Sequence, residues 1–106
     1  MTDWRSEIQA EFERAERARA RGNEGQARVC ARRAAGIAAR EYFTLRGEKV
    51  RTQSAYDLLN LLKEDQQLSP DLKLVAEHLT LRVTEEFKLP VDLVAEARKF
   101  CEDLLK

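Results

Sequence analysis

The sequence predicts an all-α, single-domain protein: an up-and-down bundle of about five helices around a long central second helix, with residues 1–106 as one domain. Three observations predict it. The stretch from Asn23 to Arg46 is about two dozen residues without proline, rich in the helix formers alanine, arginine and leucine. Elsewhere apolar residues recur at spacings of three and four, broken at Gly22-Asn23, Gly47, Ser69-Pro70 and Pro90. No segment alternates with period two over a useful length, so no strand is expected.

The first helix is expected from Asp3, with Thr2 or Asp3 as cap, to about Ala20. Trp4, Ile8, Phe12, Ala15 and Ala18 form its core face, with Trp4 closing one end of the core. Glu7, Glu11, Arg14, Arg17 and Arg21 lie on the far, solvated side. Gly22-Asn23 stops this helix and caps the next, and so short a turn makes the two antiparallel.

The second helix would be a rod of roughly 36 Å at 1.5 Å per residue. Ala27, Cys30, Ala31, Ala34, Ile37, Ala38 and Tyr42 line one side, and Ala35, Ala39 and Phe43 widen it. Apolar surface over so much of its circumference calls for several covering neighbours. The small side chains around Gly36 let them come close. After the basic loop 47–52, Thr52 or Ser54 caps a third helix with Ala55, Leu58, Leu59 and Leu62 on one face. Ser69-Pro70 starts the fourth, where Leu72, Val75, Ala76, Leu79 and Val83 align; residues 84–89 read as either helix or loop. Pro90 is expected to open the fifth, striped by Val94, Ala97, Cys101 and Leu104.

Net charge is zero but unevenly spread. Residues 1–53 carry 12 Lys/Arg and 8 Asp/Glu; residues 54–106 carry 7 and 11. Eight arginines fall between Arg14 and Arg40. Arginine over lysine suits planar or phosphate partners, and a compositional bias toward arginine gives the same pattern with no ligand. The candidate phosphate contacts are Arg28, Arg32, Arg33, Arg40 and Arg82.

Catalytic constellations are missing. With one histidine, His78, and no second ligand at metal spacing, no metal site or cofactor is expected. His78 reads as a partly exposed structural residue. Ser6, Ser54 and Ser69 sit at helix starts or on the surface, and no phosphate-cradling glycine loop or nucleophile elbow occurs. Cys30 and Cys101 fall on core faces, where a reduced, inert thiol is the simpler reading than a disulfide. No apolar run approaches a membrane span and no secretory core opens the chain, so a cytoplasmic protein is expected.

The order of pieces resembles the HEPN family of small helical proteins. The resemblance runs from the Trp4 helix and Gly22 to the long helix with Ala27, Ala31, Ala34, Ala35, Ala38 and Ala39, ending in Tyr42, Phe43 and Gly47. It continues through the leucine-rich third helix (Ser54, Leu58, Leu59, Leu61, Leu62) to a last helix with Ala95 and Ala97. It implies a bundle, commonly a homodimer, often working with a nucleotidyltransferase or in RNA cleavage. That cleavage rests on an arginine about one helical turn before a histidine; here His78 precedes Arg82, so RNA cleavage is not implied. Ala18, Gly22, Asn23 and Ala27 also look like part of a tetratricopeptide repeat, but no second copy follows. Two functions follow as expectations. The first is a non-catalytic interaction and dimerisation module; the second is RNA or nucleotide binding through the arginine faces of the first two helices.

Overall fold

The computed structural model describes residues 3–81 and 91–106. Among them are five helices and no strand: α1 (Trp4–Ala20), α2 (Glu24–Leu45), α3 (Ala55–Lys63), α4 (Pro70–Leu79) and α5 (Leu93–Leu104). Each starts where a short polar side chain satisfies an otherwise free amide. Asp3 accepts from the Ser6 N–H at 2.8 Å and Asn23 from the Gln26 N–H at 3.0 Å. Ser54 accepts from Asp57 and Ser69 from Leu72, both at 3.3 Å, and Pro70 fills the first helical position of α4.

The last helix begins later than the sequence suggests. Asp92, not Pro90, sets its start, because the Asp92 carboxylate accepts from the Val94 and Ala95 N–H groups at 3.1 and 3.2 Å. Pro90 itself, Arg82, Val83 and the ambiguous stretch 84–89 lie outside the described residues.

Both long helices end in the same glycine device. Gly22 and Gly47 have φ of 78° and 76°, a conformation that side-chain-bearing residues rarely take. The Asn23 N–H reaches the Ala18 carbonyl at 2.8 Å and the Glu48 N–H reaches Phe43 at 2.9 Å, closing the last turn of each helix. The first of these turns folds α1 back antiparallel on α2.

Helix α2 is the centre. It packs against α1, α3 and α5, and α4 closes the bundle by bridging α3 and α5. Its small residues Ala27, Ala31, Ala34, Ala35, Gly36, Ala38 and Ala39 are all buried. The envelope is incomplete, however: Ile37 is half-buried and Arg33 is exposed, on a strip left open between α1 and α3. Phe12, Leu58, Leu59, Leu62, Leu79, Val94 and Phe100 supply the bulk of the core. Leu68, in the turn before α4, joins it. Trp4 is not the core plug expected. It is half-buried at the rim beside Ile8, Cys101 and Leu105, with the Arg5 guanidinium 4.5 Å from its ring centroid.

Candidate functional site

The open strip of α2 forms the floor of a cavity of about 420 Å³. Val29, Arg33, Gly36, Ile37 and Arg40 recur along the helix at spacings of three and four, so all face the same gap. Helix α1 supplies one wall through Glu11, and the start of α3 supplies the other through Ala55 and Leu58, with Gln53 at the loop before it. The gap exists because α3 crosses α2 at Gly36, where a Cβ would lie 2.6 Å from the Ala55 Cβ. The crossing brings the α3 start tight against one turn of α2 and leaves the neighbouring turns uncovered.

The charges of this cavity are unevenly held. Arg40 is steered by Glu7, 3.6 Å away on α1. Arg32 sends its Nε–H to the carbonyl of Leu79 at 2.6 Å, and so ties the end of α4 to α2. Burial, and then the nearby Arg28 charge, pushes the Arg32 pKa below its ordinary value. Glu11 is buried, and its carboxylate lies 3.3 Å from the Arg14 guanidinium. Among the described residues, three guanidiniums and one carboxylate therefore line a half-apolar space.

Three of the expected arginines, Arg32, Arg33 and Arg40, are brought together. Arg28 is half-buried on α2 but does not line the cavity, and Arg82 lies outside the described residues. Glu11 corrects the expectation that its side of α1 is solvated, because it is buried in the wall of the gap between α1, α2 and the α3 start. Nothing in the α1 pattern announces this, since Glu11 becomes buried through a crossing set by residues far along the chain. Nothing local marks Gln53 either; it sits between the cap candidates Thr52 and Ser54.

Other described titratable groups tie elements together or are buried. His78 Nδ1 lies 2.8 Å from Glu96 Oε1, joining α4 to α5. Cys30 and Cys101 are buried free thiols, and Cys101 lies 3.7 Å from the Ala34 carbonyl. Burial, with Glu102 nearby, pushes the Cys101 thiol up to about 12. Tyr42, Arg46 and Asp65 form a tight cluster: the Tyr42 hydroxyl donates to Asp65 at 2.7 Å, and Arg46 reaches the same oxygen at 2.6 Å. Among the described residues no cluster of three metal-ligating side chains occurs, and no helix is long and apolar enough to cross a membrane.

Fold and cavity define an all-α bundle with an arginine-walled pocket on its central helix. No protein-family model, curated protein or solved structure matches the chain.

Proposed function

We propose that the protein is a binding module for a phosphate-bearing ligand, a nucleotide or the backbone of single-stranded RNA, held in the cavity on α2. The observation that carries this is the convergence of Arg32, Arg33 and Arg40 on one space of about 420 Å³, a size within the usual range for ligand pockets. Guanidiniums match phosphate oxygens in geometry as well as charge. Gln53 and Glu11 add hydrogen-bonding groups for the ligand's sugar or base edge. Among the described residues no aromatic ring lines the cavity, and its guanidiniums favour recognition through phosphate and sugar. The HEPN-like resemblance adds a nucleotidyltransferase-type protein, and a second copy of this chain, as partners to try.

The test is fluorescence anisotropy with a short labelled single-stranded RNA, and competition by ATP, across a salt series. Binding should weaken linearly in log salt. Arg33→Ala with Arg40→Ala should lower that slope by about 1.4, at about 0.7 for each phosphate no longer neutralised. These two are the informative positions, because Arg32→Ala would also release the end of α4. Absence of binding at low salt, or binding untouched by the double variant, refutes the proposal.

A further inference from the structure

A second groove, sharing no residue with the arginine cavity, runs between α4 and α5. It has a volume of about 440 Å³. Phe100, fully buried, forms its floor with Leu72 and Val75, and Leu74 stands at its lip with 54 % of its surface exposed. Leucine at this exposure on a ten-residue helix is not explained by the core of this chain. Among the described residues the rim is acidic: Asp71, Glu96 and Asp103 face a single lysine, Lys99. Asp71 and Asp103 stand near one end, where they also line a neighbouring depression, and Glu96 stands toward the other beside His78. Lys106 lies 3.4 Å from Asp103 and moderates that end without reversing its sign.

We infer that this groove docks a basic amphipathic helix of a protein partner, with an apolar stripe set against Leu72, Leu74 and Val75 and lysines or arginines meeting the rim. Length supports a helix. The α5 wall runs from Ala95 to Asp103, about 12 Å at 1.5 Å per residue, which matches two turns with anchors at i, i+3 or i+4, and i+7. Charge selects the partner. A two-fold pairing with a second copy would set Asp71, Glu96 and Asp103 against the same carboxylates, and like charges face to face disfavour it. A basic helix meets the opposite sign at both ends.

The experiment is selection of a phage-displayed library of helical peptides on the wild-type protein, with counter-selection on Leu74→Asp. The variant places a charge at an exposed position, and its unfolding midpoint in urea should match the wild type. Enriched peptides are expected to carry the apolar i, i+4, i+7 pattern flanked by lysine or arginine. Their affinity should fall at least about tenfold on Leu74→Asp, as for a central anchor residue. It should fall by a smaller, salt-dependent factor on Asp71→Asn with Asp103→Asn. No enrichment over the counter-selection, or enriched peptides lacking basic residues, overturns the inference. So does a dimer, seen by sedimentation, that Leu74→Asp dissociates, since that assigns the groove to a second copy.

Discussion

Gly36 shows how one missing side chain sets both the packing and the cavity. A Cβ there would meet the Ala55 Cβ at 2.6 Å and the Ala55 Cα at 2.8 Å, and backbone at the start of α3 cannot swing aside as a long side chain would. Alanine is the better helix former by about 1 kcal/mol, but overpacking of this kind costs about 1–3 kcal/mol. Gly36→Ala is therefore expected to lower stability by about 1 kcal/mol, read from urea midpoints, with the cavity reshaped as α3 moves away. Combining it with Ala55→Gly should recover part of the loss, because the two sites touch and their effects are not additive. A stabilised Gly36→Ala protein would refute the close crossing. At the same scale, Cys101 is held protonated by burial, with Glu102 adding to the effect, and Cys30 is buried too. Neither thiol should react with a chromogenic disulfide reagent in the native protein at mildly alkaline pH, and both should react once the chain is unfolded by guanidinium. Fast reaction of either in the native state contradicts the packing.

At the scale of elements, Asp92 does two tasks. It caps α5, and it binds Arg19 at the end of α1, whose guanidinium also grips Glu24 in the first turn of α2. Three helices are fastened at this corner. Asp92→Ala is expected to cost about 1–2 kcal/mol, the upper part of the range for a lost cap. Asp92→Asn should cost less, since an amide oxygen still caps and only the ion pair goes; equal losses would show that the cap contributes little. Such corners explain which features are legible from sequence. Ser54, Ser69 and Asn23 announce helix starts locally, and Gly22 and Gly47 announce stops, because caps depend on residues within one turn. The core faces are equally legible, since burial of Ala27, Ala31, Ala34 and Ala38 follows helical period. The α5 start differs from the Pro90 expected because proline is a strong local signal and Asp92 a quieter one. The arginine cavity is half legible: the residue type and its concentration on α2 are plain, whereas the roles of Glu11 and Gln53 depend on where α3 crosses. Arg28 and Arg32 look like a matched pair by spacing, yet only Arg32 lines the cavity, and it is bound to α4.

Over the whole molecule, two polar clusters join elements distant in sequence, and the carboxylates of both give stability a pH dependence of one sign on the acid side. Arg19 holds Glu24 and Asp92 below the usual carboxylate range, chiefly by hydrogen bonding. For Asp65 burial alone would raise the pKa. The Gln67 N–H, the Tyr42 hydroxyl and Arg46 together outweigh it, so Asp65 also lies below its ordinary value. A carboxylate lowered on folding binds its proton more readily in the unfolded chain. Its stabilisation is complete above the unfolded pKa, about 4, and is lost as pH falls through the folded value. Urea midpoints are therefore expected to be level from about pH 7 to 5 and to decline below about pH 4. Asp65→Asn with Asp92→Asn should lower the midpoint at neutral pH and flatten that acid decline, because both variants remove a group whose protonation drives it. An acid decline as steep in the double variant as in the wild type would mean that other carboxylates govern it. The arginines at the two clusters would then be geometric ties rather than electrostatic ones. The distinction reaches the cavity as well: Arg33 and Arg40 lie outside both clusters, so their replacement should leave the acid profile in place while it removes the phosphate binding proposed for the cavity.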